Sequence, residues 1–105
     1  MTGLRSAEGA IGPVLQATAL GWAIVAAISM ENERTDVCDE GAYLRVLVPD
    51  VCRVSRAEVE RQYGQPVSFP GDLELAMPSF SGRVRMTENG AAWWRSSQPE
   101  PEVPS

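Results

Sequence analysis

Asp72-Leu73-Glu74-Leu75-Ala76-Met77-Pro78-Ser79-Phe80-Ser81-Gly82-Arg83 joins two kinds of local sequence in one short stretch. Its first half alternates apolar and polar residues, which predicts a strand with Leu73, Leu75 and Met77 on one face. Pro78, Ser79, Ser81 and Gly82 then break the pairing and present an aromatic, Phe80, in the break. A large apolar side chain on a Pro/Ser/Gly loop has little local core to enter. That marks it for contact with something outside the domain. In the opposing reading Phe80 folds back as a small satellite core and Gly82 merely makes the turn.

Upstream of this stretch, Ser55-Arg56-Ala57-Glu58 has the form of a capping box. The Ser55 hydroxyl and the Glu58 carboxylate would each satisfy the other's exposed amide, and Val54 and Val59 have the spacing of a hydrophobic staple. The helix is expected to end at Gly64, and Pro66 prevents its continuation. Before it, Ala42, Leu44, Val46 and Val48 alternate with Tyr43, Arg45 and Leu47, a two-faced strand. Residues 31–40 read as a charged connector with Cys38 embedded. Thr18 can cap a helix running to about residue 31, with Leu20, Ala23, Ile24, Ala27 and Ile28 as its core stripe. Trp22, Val25 and Ala26 fall on another side, so that helix either is enclosed by the domain or turns a second face to a partner. Ile11 to Leu15, which contains Gly12-Pro13, reads as a short edge strand.

Downstream, Arg83-Val84-Arg85-Met86 precedes Asn89-Gly90, the chemistry of a type I′ hairpin, and then Ala91-Ala92-Trp93-Trp94-Arg95. The adjacent tryptophans would point to opposite sheet faces, one into the core and the other half-exposed. The element order predicts one α+β domain over residues 10–96, with two helices packed on a mixed or antiparallel sheet. Residues 1–9 and the Pro/Glu-rich tail 97–105 are expected to be disordered.

Composition narrows the function. The chain has 105 residues, a net charge of −5 and no histidine. The charge argues against a nucleic-acid partner, because phosphate contacts need a basic surface. Lack of histidine removes the commonest general base, and with Cys38 and Cys52 as the only cysteines no metal-ligand set is evident. Two buried free thiols in a cytoplasmic protein are expected, and no cofactor or metal. The uncharged run over residues 9–30 is interrupted by Pro13, Gln16, Thr18 and Gly21. It reads as a strand, a turn and a core helix, not a membrane span. No spacing signal supports an enzyme built on Tyr43, Glu74 or Cys52.

Four segments together resemble the MmoB/DmpM family, the regulatory (effector, or coupling) components of soluble diiron monooxygenases. Ile11-Gly12-Pro13-Val14-Leu15 is similar to the family's opening strand, and Gly41-Ala42-Tyr43-Leu44-Arg45-Val46 to its central one. Cys52-Arg53-Val54-Ser55-Arg56, Glu58-Val59 and Tyr63-Gly64-Gln65-Pro66 resemble its second helix with flanks. The stretch from Leu73 to Arg83 resembles its most recognisable signature. One departure matters: the family's first helix usually carries acidic residues, and residues 18–30 here carry none. That departure shifts the expectation for this helix from a charged contact to an apolar one through Trp22. The short amino-terminal extension is closer to components serving alkene, aromatic or small-alkane oxidation than to the methane-oxidising branch.

The resemblance implies no catalysis by this chain. It implies a cytoplasmic protein that binds the hydroxylase component of a soluble diiron monooxygenase, working alongside its ferredoxin and reductase. It would tune active-site geometry, oxygen and substrate access, and the coupling of NADH oxidation to hydrocarbon oxidation. The contact residues it points to are Met77, Pro78, Ser79, Phe80, Ser81, Gly82 and Arg83, with Trp22. Phe80 would be the apolar anchor, Ser79 and Ser81 would supply hydrogen bonds, and Arg83 a carboxylate partner. The alternative is a free-standing module that binds a small apolar ligand between helices and sheet.

Overall fold

The computed structural model describes residues 10–104; residues 1–9, expected to be disordered, lie outside the described residues, as does Ser105. The elements in chain order are β1 (Gly12–Gln16), α1 (Ala19–Glu31), β2 (Asp36–Asp39), β3 (Tyr43–Leu47) and β4 (Val51–Ser55). There follow α2 (Arg56–Tyr63), α3 (Gly71–Ala76), β5 (Ser79–Ser81), β6 (Arg83–Met86) and β7 (Gly90–Trp94). The class is α+β as expected, with three helices where two were predicted. The strands form two antiparallel sheets in place of one, β2-β3-β1-β5 and β4-β7-β6.

The chain passes from the first sheet to the second at Gly82. Its φ is +93°, and a Cβ there would lie 2.5 Å from the Trp94 carbonyl oxygen and 2.7 Å from Cγ2 of Ile11. Both the left-handed backbone and the close approach call for glycine. The two sheets abut at this residue because it has no side chain.

Helix α1 begins as expected, with the Thr18 hydroxyl accepting from the Gly21 amide at 3.1 Å. Ala23, Ile24, Ala27 and Ile28 are buried, and so is Val25, so most of the helix surface is enclosed. It packs against α2, β4 and β3. Helix α2 starts at Ser55, whose hydroxyl accepts from the Glu58 amide at 3.2 Å, and stops at Gly64 with φ +80°. The predicted capping box is only half formed. The Ser55 amide and hydroxyl both donate to the Glu31 carboxylate, each at 2.7 Å, while Glu58 bonds Arg61 and Gln62. Glu31, the last residue of α1, reaches the start of α2 because the two helices pack together, and so it supplies the acceptor expected of Glu58. Beside it, the Asn32 side chain donates to the Arg53 carbonyl at 2.7 Å and accepts from the Arg53 amide at 3.0 Å. This one side chain pairs with the outer edge of β4 as a neighbouring strand would.

The strand predicted from Leu73 to Met77 is a helix, α3. Leu73 and Ala76 are buried and Met77, its C-cap, is 8% exposed, whereas Leu75 is 79% exposed. The buried set therefore has i, i+3, i+4 spacing, and the apparent alternation is incidental. The first turn is closed by Asp72, whose carboxylate accepts from the Ser68 amide at 2.8 Å and whose amide donates to the Ser68 carbonyl at 2.8 Å. Asp72 and Glu74 also suit the positive end of the helix dipole.

Two local expectations in the last hairpin change. It forms, but Thr87 pairs with Gly90 around Glu88 and Asn89, and neither Asn89 nor Gly90 has positive φ. A type I′ turn on Asn89-Gly90 is therefore absent. Trp93 and Trp94 do point to opposite faces, yet both are buried, at 0% and 5% exposure. Of the two cysteines, both free, Cys52 is buried in the core and Cys38 is exposed on β2, where a buried thiol was expected.

Candidate functional site

The segment from Met77 to Arg83 starts inside the domain and ends outside it. Met77 belongs to the core and fixes where the chain emerges. Pro78 and Ser79 are exposed. Ser79, Phe80 and Ser81 then pair with Val14, Pro13 and Gly12 of β1, so the expected loop is a three-residue edge strand, β5. Phe80 is 42% exposed and is not among the residues of the core cluster or those packed against it. Among the described residues, the hydroxyls of Ser79 and Ser81 and the guanidinium of Arg83 have no hydrogen-bond or ion-pair partner. An aromatic ring, two hydroxyls and a cation are thus presented with their polar groups free for an external partner.

The register of the four-stranded sheet extends this surface. Cys38 lies opposite Arg45, Arg45 opposite Val14, and Val14 opposite Ser79, a row that crosses every strand on one face. Leu44 and Val46 turn the other way, into the core. Pro78 and Ser79, together with Val14, Glu40, Tyr43 and Arg45, line an open depression of about 220 Å³. Arg45 is held over it by an exposed ion pair to Glu40 at 3.4 Å. Tyr43 is 44% exposed. The alternation of β3 already turns Tyr43 and Arg45 outward, but only the strand register places them beside Ser79. The sequence places Arg45 on one face of a two-faced strand and gives no sign of its link to this segment.

Trp22 does not join this surface. It is 46% exposed on α1, which packs against α2, β4 and β3. With Ala26, Ser29 and Met30 it forms the outward stripe of a helix without a charged residue before Glu31, and Met30 is 66% exposed. A charge-free outward stripe is unusual for a solvated helix.

No group of three or more His, Cys, Asp or Glu residues is placed to hold a metal among the described residues. The shifted ionisable groups lie elsewhere. Burial pushes the Cys52 thiol up to about 12. The Glu58 carboxyl is lowered by its bond from Gln62 and by Arg61, and the Glu60 carboxyl by the Val67 amide and Arg56. No helix among the described residues is long and apolar enough to cross a membrane.

This arrangement of two small antiparallel sheets and three helices defines a known kind of α+β domain. It superposes with TM-score 0.70 on a chain from the structure of a phenol hydroxylase–regulatory protein complex, covering 81% of this chain and 95% of that one at 14% identity. At that identity the likeness concerns the fold. In sequence, the chain is 29% identical over 92 residues to the effector subunit of the alkene monooxygenase system of Xanthobacter autotrophicus (strain ATCC BAA-1158 / Py2), covering 86% of this chain and 90% of that protein. The model of the MmoB/DmpM family matches residues 9–94, and the chain belongs to that family.

Proposed function

We propose that the chain is the non-catalytic regulatory component of a soluble diiron monooxygenase, acting in the cytoplasm on the hydroxylase component beside a ferredoxin and a reductase. Residues 10–96 form the regulatory domain. The observation that carries this reading is Phe80, 42% exposed on an edge strand and flanked by Ser79, Ser81 and Arg83, whose side chains have no polar partner among the described residues. Buried at an interface, an aromatic anchor ringed by hydrogen-bonding groups supplies most of the binding energy. Arg83 suits a carboxylate of the partner, and Pro78 and Gly82 fix the backbone on either side of the anchor. Trp22 offers a second, apolar contact from α1. Membership of the family and the effector role of the alkene monooxygenase relative support the same assignment.

Such a protein acts by binding one conformation of the hydroxylase more tightly than another. A tenfold change in coupling between NADH oxidation and hydrocarbon oxidation requires about 1.4 kcal/mol of differential binding, within the usual range for allosteric coupling. A single anchor residue contributes an amount of this order to an interface.

The test is binding to the cognate hydroxylase by calorimetry. Phe80→Ala is expected to weaken the complex by roughly 10–30-fold, the consequence of losing about 1.4–2 kcal/mol at an anchor. It should leave the unfolding midpoint nearly unchanged, because the ring is half outside the fold. Undiminished affinity in Phe80→Ala, or no complex with the unaltered chain, would remove the reading.

A further inference from the structure

The outer face of the three-stranded sheet carries an unexpected combination of residues. Arg53, Ala92 and Arg85 lie side by side across β4, β7 and β6, and Trp94 and Arg83 are paired one step along. Three of the nine arginines of an acidic chain therefore share one small face. Ala92 and Trp94 are 0% and 5% exposed, yet neither belongs to the core cluster, which takes Ala91 and Trp93 from the opposite side of the same strand. Something other than the core covers them.

The chain's own Pro/Glu segment lies against this face. Glu100 meets Arg85 at 2.7 Å, and the Glu102 carbonyl accepts from Nε of Arg53 at 3.2 Å. Pro104 lies so close to β7 that a Cβ on Gly90 would stand 2.8 Å from its carbonyl oxygen and 3.1 Å from its Cβ. The segment thus meets residues of all three strands, with an acidic side chain turned to an arginine. The Arg85–Glu100 pair is exposed on both sides, 60% and 45%, and an exposed pair of this kind holds weakly. Proline-rich chain needs little ordering to bind, and no residue of 99–104 belongs to the core cluster.

We propose that this face is a binding site for an acidic, extended, proline-containing segment, that residues 99–104 are its resident ligand in cis, and that an acidic segment of the hydroxylase displaces them. The last part rests on the regulatory reading above. Arg83, on the same face and without a polar partner among the described residues, makes this site continuous with the Phe80 segment, so displacement would enlarge the docking surface.

The full chain tests this with Trp22→Phe as background, which leaves Trp94 as the tryptophan able to change exposure. Glu100→Arg/Glu102→Arg places like charges over the three arginines. Acrylamide quenching of the remaining tryptophans is expected to rise several-fold. Adding a synthetic peptide of residues 96–104 should reverse that rise, and the same peptide with both glutamates replaced by glutamine should not. Adding Arg85→Glu to the charge-reversed chain should restore protection within the one molecule. Unchanged quenching, or no response to the peptide, would overturn the proposal. Made in the chain that keeps Trp22, the charge reversal should also tighten hydroxylase binding several-fold over the unaltered chain, and the peptide should cancel the gain. Peptide binding with equal hydroxylase affinities would overturn the displacement. If neither chain binds the hydroxylase while the peptide still binds, the regulatory reading fails and the cis site stands.

Discussion

Replacing Gly82 with alanine should destabilise the domain far more than a surface change of one methyl group. At φ +93° an L side chain costs about 1–2 kcal/mol. The methyl would also sit 2.5 Å from the Trp94 carbonyl oxygen and 2.7 Å from Cγ2 of Ile11, so something must shift. The oxygen is backbone of a buried strand and Ile11 is 2% exposed, so neither can swing away cheaply. Overpacking of this kind adds about 1–3 kcal/mol. The sum, roughly 2–5 kcal/mol, is a large share of the 5–15 kcal/mol typical of a whole domain. Gly41→Ala isolates the first contribution: φ there is +86°, but nothing lies within 4 Å of the new methyl. It should lose only about 1–2 kcal/mol. Urea unfolding followed by tryptophan fluorescence and far-ultraviolet circular dichroism measures both variants. Gly82→Ala should fall below Gly41→Ala by at least about 1 kcal/mol. Equal losses would refute the close-approach reasoning, and a Gly82→Ala midpoint at the unaltered value would refute the backbone reasoning as well.

Three further outcomes are expected. Glu31→Ala removes both acceptors of the Ser55 amide and hydroxyl; it should cost about 1–2 kcal/mol in urea unfolding, more than Glu58→Ala, whereas a formed capping box would reverse that order. Glu60 is lowered beneath the ordinary glutamate value of 4.5 chiefly by the Val67 amide, then by Arg56. A lowered folded value means its contribution is complete above the unfolded value and lost as pH falls through the folded one. Stability should therefore decline from about pH 4.5 downward, and Glu60→Gln should flatten that acid limb; an unchanged limb would contradict the bond to Val67. In the native protein a disulfide reagent should titrate Cys38 alone, with Cys52 reacting only on unfolding, since burial holds its thiol up at about 12.

What was legible in the sequence was mostly what local chemistry decides. The Thr18 and Ser55 caps, the stop at Gly64 and the two-faced strand around Leu44 and Val46 all stand where side-chain type and short-range spacing put them. Helix α3 was misread because six residues are too few for period 2 and period 3.6 to separate: Leu73 and Leu75 suggest one, and Leu73, Ala76 and Met77 satisfy the other. Asp72 and Glu74 just after Pro70 were the available sign of a helix start. The partner of Ser55 could not be read locally, because Glu31 is 24 residues away and arrives through helix packing. The split into two sheets depends on a close approach at Gly82 that no periodicity records. For the candidate site, the sequence marked Phe80, Ser79, Ser81 and Arg83 as a unit. It could not show that strand register sets Arg45 and Val14 beside Ser79, since register is a property of paired strands.

The central claim is that this chain regulates a diiron hydroxylase through the Phe80 segment. The most direct measurement is product formed per NADH consumed by the cognate hydroxylase, with its ferredoxin and reductase, as this protein is titrated in. A rise that saturates near one copy per active site is expected, with the Phe80→Ala curve displaced to roughly 10–30-fold higher concentration. Coupling that does not respond to the protein, or responds equally to Phe80→Ala, would contradict it.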